Sequence, residues 1–197
     1  MAKTPSPEEI EKNYREFQKL FMAARAIHRK TRNRDEAEKS PEHQAALKFA
    51  HEQNWNWGET LLRASILEWT NDAEAALDLM QTLHPEEWPC GAGLYYFVCG
   101  GVEGKLKHWD ESIQANKAAL NDPAFDYSCY TWSNMGLAYR EKGEYDQAIE
   151  CYQKALDTPG FDSPGDAWYN MGSTYGEKGE QDRAIECFQK ALDTPGY

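Results

Sequence analysis

DYSCYTWSNMGLAYREKGEYDQAIECYQKALDTPGF occupies residues 126–161, and DSPGDAWYNMGSTYGEKGEQDRAIECFQKALDTPGY follows directly over 162–197. The two blocks carry the same residue at 23 of 36 aligned positions, so they are one unit written twice. Shared runs include Asn-Met-Gly (134–136, 170–172) and Ala-Ile-Glu-Cys (148–151, 184–187). A fixed period of this size marks an array in which each unit buries its apolar face only against its neighbours. Stepping back by one period finds an eroded third copy over 90–125. It keeps Gly100, Asp110, Ile113, Ala119, Leu120, Pro123 and Phe125, at places where packing or chain reversal restricts the choice.

Each block reads as two antiparallel helices. Trp132, Met135, Gly136 and Tyr139 recur at three- and four-residue spacing and form one apolar stripe. Gly143 suits the left-handed residue that ends a helix. Asp146 falls in the first turn of the second helix, where its charge meets the positive end of the dipole. Ala148, Ile149, Tyr152, Ala155 and Leu156 make the second stripe. Thr158-Pro159-Gly160 stops that helix, because proline cannot continue it. Gly136 and Ala148 are expected to face each other and let the two helices approach closely.

This pattern resembles the tetratricopeptide repeat family, whose signature runs large residue, Leu, Gly, Tyr, Ala, aromatic, Ala, Pro. Here it reads Trp132, Met135, Gly136, Tyr139, Ala148, Tyr152, Ala155 and Pro159, then Trp168, Met171, Gly172, Tyr175, Ala184, Phe188, Ala191 and Pro195. The period is two residues longer than the usual one, which lengthens the turn between repeats. The first copy departs further, with Glu103 and Asn116 at aromatic positions. The resemblance implies an all-α, right-handed superhelical solenoid of antiparallel helix pairs, with repeats at 90–125, 126–161 and 162–197.

Residues 1–89 lack the signature but read as a helical extension. Ser6-Pro7-Glu8-Glu9 is a capping box with proline at the first helical position. Ile10, Tyr14, Phe17, Phe21 and Ala24 follow it as an amphipathic stripe. Ser40-Pro41-Glu42 opens a second stretch reaching toward Trp69, with a break expected near Gly58. Asn71 or Asp72 starts a third helix that ends at His84-Pro85. Residues 55–84 read as a degenerate repeat, since Ala75 and Leu83 fall where Ala148 and Leu156 would.

Catalysis is not expected. His51-Glu52 begins like a zinc-protease helix, but residue 55 is Trp where a second His is required. The glycines at 100, 101 and 104 have no strand before them and no Lys-Ser/Thr after them, and they fall inside a helix. The five histidines are scattered without ligand spacing, so no metal or cofactor is expected. Five cysteines, an odd count, point to a reducing compartment. Met1-Ala2-Lys3-Thr4 lacks the apolar stretch of a secretion signal, and no run of about 18 apolar residues could span a membrane. The expected location is cytoplasmic.

Charge is split along the chain. Residues 1–50 hold 11 Lys/Arg and 8 Asp/Glu, net +3, whereas 51–197 hold 10 and 25, net −15. Arg25, Arg29, Lys30, Arg32 and Arg34 cluster beside His28 at the end of the first helix. Such a cluster can hold phosphates or an anionic membrane. It also complements a helix C-terminus and faces an acidic solenoid in the same chain. That acidity argues against nucleic acid.

Binding of a protein or peptide is the function the resemblance implies. In the family, first helices of successive repeats line a concave groove that takes an extended peptide or a partner helix. Groove positions carried over residue by residue are Leu94, Phe97, Val98 and Gly101 in the first copy. The second offers Tyr130, Ser133, Asn134, Leu137 and Arg140, and the third Asp166, Tyr169, Asn170, Ser173 and Glu177. Asn134 and Asn170, one repeat apart, could hold a peptide backbone, since an amide both donates and accepts. Members that grip a chaperone's C-terminal carboxylate use cations at these positions. Phe97, Ser133 and Tyr169 stand there instead, with Asp166 nearby, which disfavours that ligand.

Two further expectations concern packing. The stripe of the first helix needs a partner, and the groove could supply it, so the N-terminal helices are expected to cross the solenoid and fill part of the groove. Gly196-Tyr197 stands at a repeat boundary with no capping helix after it, so either Ile185, Phe188 and Leu192 are open for self-association into a homo-oligomer or the chain is a fragment of a longer array.

Overall fold

The computed structural model describes residues 5–31, 33–70, 72–88 and 90–195. Met1–Thr4, Arg32, Asn71 as a helix start, and the boundary at Gly196-Tyr197 lie outside the described residues. Every regular element among the described residues is helical. α1 (Pro7–Thr31), α2 (Arg34–Lys39), α3 (Pro41–Glu52), α4 (Asn56–Trp69) and α5 (Ala73–Gln81) form the N-terminal half. A 3-10 turn at Pro85–Glu87 leads to three hairpins. These are α6 (Gly93–Lys105) with α7 (Trp109–Leu120), α8 (Ser128–Glu141) with α9 (Tyr145–Asp157), and α10 (Pro164–Lys178) with α11 (Gln181–Leu192). Each hairpin packs on the next, α7 against α8 and α9 against α10, as a helical solenoid requires.

The starts and stops follow local chemistry. Ser6 Oγ accepts the Glu9 amide at 3.2 Å ahead of α1, and Ser40 Oγ accepts the His43 amide at 3.2 Å ahead of α3. Gly143 (φ 77°) and Gly179 (φ 90°) take the left-handed turn inside their hairpins. Lys107 occupies the equivalent place in the first copy at φ 63°, a conformation that costs an L-residue about 1 kcal/mol or more. Asn33 caps the short α2, which the sequence pattern did not anticipate.

Two packing details correct the sequence reading, and a third concerns α1. The break between α3 and α4 lies at residues 53–55, with Asn54 left-handed (φ 56°), while Gly58 sits inside α4. Gly58 is needed for contact, because a Cβ there would stand 2.9 Å from the Ala50 Cβ. The nearest neighbour of Gly136 is the ring of Tyr152 rather than Ala148. As expected, α1 lies across part of the groove, its stripe sharing a core with Leu94, Phe97 and Val98 as well as with α3 and α4. Tyr14, Phe17, Phe21 and Ala24 are fully buried in one core with Ala46, Ala50, Leu61 and Leu62 of α3 and α4. Trp57 meets Tyr14 and Phe17 edge-on at 6.3 and 5.4 Å.

α1 also makes polar contacts with the repeats. Tyr14 Oη accepts the Leu94 amide at 3.0 Å. Gln18, fully buried, donates to the Ala124 carbonyl at 2.7 Å and accepts the Asp126 amide at 3.1 Å. Arg15 pairs with Asp126, and Arg29 reaches Asp166 at 3.4 Å.

Candidate cleft between the first helix and the repeats

These contacts hold α1 in front of the first helices of the hairpins and leave a cleft of about 810 Å³ between them. One wall is the outer side of α1, where Ala23 and Ala26 leave room between Lys19, Arg29 and Lys30. Trp69 and Phe97 form the back, with the Arg25 guanidinium over both rings at 5.6 and 5.0 Å. The facing wall holds Tyr127, Tyr130 and Asn134 of the second repeat and Asp162, Ser163 and Asp166 of the third.

The charges in this cleft are held in fixed places. Arg25 is buried and donates from Nη2 to Glu68 Oε1 at 2.8 Å. That pairing satisfies a cation which alone would be costly to bury. Tyr130 donates to Asp162, and its hydroxyl is pushed up by burial and by that carboxylate. Behind Arg25 a polar chain runs inward. Ser65 Oγ lies 3.2 Å from His28 Nδ1, and His28 Nε2 lies 3.1 Å from His43 Nδ1. Burial, then the charges of His43 and Arg25, push His28 down to about 3, and burial also lowers His43. This corner is therefore neutral apart from the Arg25–Glu68 pair.

Four of the groove positions expected from sequence meet here: Phe97, Tyr130, Asn134 and Asp166. The Asn134 amide has no hydrogen-bond partner among the described residues, so its donors and acceptor remain open. Leu94 and Val98 are fully buried in the core shared with α1, so no partner reaches them. Gly101 packs against Glu68 and Arg25. Leu137, Arg140, Tyr169, Asn170, Ser173 and Glu177 do not line the cleft, and Ser133 has a buried hydroxyl without a partner. Arg140 pairs with Glu141 at 2.8 Å and lies 3.8 Å from Glu177, while Ser173 donates to the Tyr169 carbonyl at 3.0 Å. Asn134 and Asn170 thus do not share one ladder in this cleft.

The place of α1 beside the groove follows from its amphipathic pattern, whereas nothing in the sequence marks Trp69 and Tyr127 as lining it. The basic cluster is largely engaged within the chain. Arg25 pairs with Glu68, Arg29 with Asp166 and Arg34 with Glu38. Of the proposed self-association residues, Ile185 and Leu192 are exposed, whereas Phe188 turns inward onto Gly172 and the Tyr169 ring. No group of three or more His, Cys, Asp or Glu among the described residues could hold a metal ion. No described helix is long and apolar enough to cross a membrane.

Residues 127–194 match the tetratricopeptide repeat. No curated protein matches the chain in sequence. Solved structures of MamA are among those that share its fold. A crystal structure of MamA aligns with TM-score 0.57 at 22% identity, over 76% of this chain and 84% of that one. A second MamA crystal structure aligns with TM-score 0.57 at 22% identity, over 90% of this chain and 91% of the other. At that identity the likeness speaks for the fold alone.

Proposed function

Residues 127–194 being tetratricopeptide repeats, we propose that this chain is a non-catalytic, cytoplasmic binding module that holds a peptide or partner helix in the cleft behind α1. On this reading the repeats at 90–125, 126–161 and 162–197, with a degenerate repeat at 55–84, form the scaffold, and α1 supplies the second wall. The open Asn134 amide carries the reading. It stands half-buried beside Tyr127 and Tyr130, where an extended backbone could satisfy it while the rings cover apolar side chains. The five cysteines, all free thiols, fit a reducing location.

Selection of a displayed peptide library on the immobilised chain tests the assignment. Peptides kept by the native protein are expected to be lost from Ala26→Trp, which fills the cleft from an exposed position, and weakened at least about tenfold by Asn134→Ala. Equal retention by both variants would show that peptides are bound elsewhere.

A further inference from the structure

The back of the cleft is tied to a buried polar chain that spans three helices. Arg25 Nη1 of α1 donates to Ser65 Oγ of α4 at 3.4 Å, and that oxygen lies 3.2 Å from His28 Nδ1. His28 Nε2 in turn lies 3.1 Å from His43 Nδ1 of α3. All four side chains are buried. The order of donors follows from the chemistry at one end. A guanidinium has no acceptor, so Ser65 Oγ accepts from Arg25 and its own proton goes to His28 Nδ1. His28 then carries its proton on Nε2 and donates to His43. The opposite order would leave the proton of the fully buried Ser65 hydroxyl without an acceptor among the described residues.

A chain ordered in this way has no place for a further proton. On His28 Nδ1 it would face the Ser65 hydroxyl proton, and on His43 Nδ1 it would face the His28 proton. His28 would also become a second cation beside Arg25, while Glu68 already gives both oxygens to Arg25. The charged groups around the pair are Arg25 of α1, Glu59 and Glu68 of α4 and Glu38 of α2. Glu38 and Glu59 favour a proton on His43, but they are engaged with Arg34 and His51, and burial outweighs them. Beyond His28, α1 reaches the third repeat through the exposed Arg29–Asp166 pair, which contributes little.

We propose that His28 and His43 form an acid-triggered latch on the end of α1. As pH falls the two imidazoles take up protons by leaving the core, and residues 25–31 part from α3 and α4. Arg25 then withdraws from the rings of Trp69 and Phe97, and the cleft loses its back and part of one wall. The sign follows from linkage. The closed state holds His28 down to about 3, whereas a hydrated imidazole binds its proton at the usual 6.5. At pH 5 His28 alone therefore favours the open state about 30-fold, and His43, lowered in the same sense, adds to it. Control of peptide affinity rests on the binding reading above; the latch itself does not.

Hydrogen exchange of the full chain, corrected for the intrinsic effect of pH, tests the latch at pH 7 and pH 5. Amides 25–31 are expected to lose at least about tenfold in protection at pH 5 and to exchange ahead of amides 14–21. His28→Gln can accept from Ser65 and donate to His43 without titrating, and it should reduce that loss, as should His43→Gln. A histidine-free peptide retained by the native chain should bind at least about threefold more weakly at pH 5, and less so in either variant. Protection unchanged by acid, or lost as fully in both variants, overturns the latch. So do amides 25–31 that exchange no faster than 14–21, the mark of global unfolding. A peptide held equally at both pH values overturns the link to the cleft. A native chain that holds no peptide at either pH removes the binding reading, and exchange alone then decides the latch.

Discussion

Gly136 lies under the ring of Tyr152, where a Cβ would stand 2.6 Å from Cε1. The ring is fully buried and cannot retreat. Gly136→Ala should therefore lower the unfolding free energy by about 2 kcal/mol in urea titration. Gly172→Ala should cost less, because Phe188 is only half-buried and can shift. A second single-residue effect concerns acid. His28 is 1% exposed, and its folded pKa of about 3 lies below the usual 6.5. The unfolded chain then binds a proton that the native state refuses, so stability is full above pH 6.5 and falls as pH drops toward 3. Between pH 7 and pH 5 this histidine should remove about 2 kcal/mol. Urea unfolding at both values should show that loss in the native protein and not in His28→Gln. Equal pH dependence in the two would discard the assignment. Neither effect needs the whole fold to be known, yet only Gly136 was legible beforehand. Its place in the repeat marked a close approach, whereas nothing in the spacing of His28 and His43 says that their rings meet.

α1 shows how one helix can serve two neighbours. Its apolar stripe was plain in the sequence and is buried, in one core with α3, α4 and the Leu94, Phe97 and Val98 of the first repeat. The contacts that orient it toward the repeats are polar and leave no periodic trace. Gln18 is the clearest, bridging the Ala124 carbonyl and the Asp126 amide from a fully buried position. Gln18→Leu keeps the volume and strands both backbone groups, which should cost about 2 kcal/mol. The same substitution should speed hydrogen exchange at the Asp126 amide. Unchanged exchange there would mean that α1 is held mainly by its ion pairs. Those pairs are exposed or half-exposed, as Arg29–Asp166 and Arg15–Asp126 are, and each contributes under about 1 kcal/mol. Leu94 and Val98 illustrate the consequence for the site. Family position marks them as groove residues, and the core beneath α1 takes them out of reach.

On the scale of the molecule, α9 and α11 allow a controlled comparison, since they share Ala-Ile-Glu-Cys and Gln-Lys-Ala-Leu-Asp at equivalent positions. α9 is packed by α8 on one side and α10 on the other, whereas α11 packs chiefly against α10 among the described residues. In a linear array stability comes from neighbours, so α11 amides should exchange faster than their α9 counterparts despite near-identical sequence. Equal protection would mean that intrinsic helix stability dominates. Charge is distributed on the same scale, with a basic helix crossing an acidic array through Arg15 and Arg29. The sequence by itself determined the all-helical repeat, its period, the left-handed glycines and the stripes, because each is set by residues close together in the chain. Only the tertiary structure decided where α1 lies, which groove positions stay open and how the buried histidines are placed. Those outcomes depend on which surfaces meet, and side-chain polarity read along one helix does not record its partner.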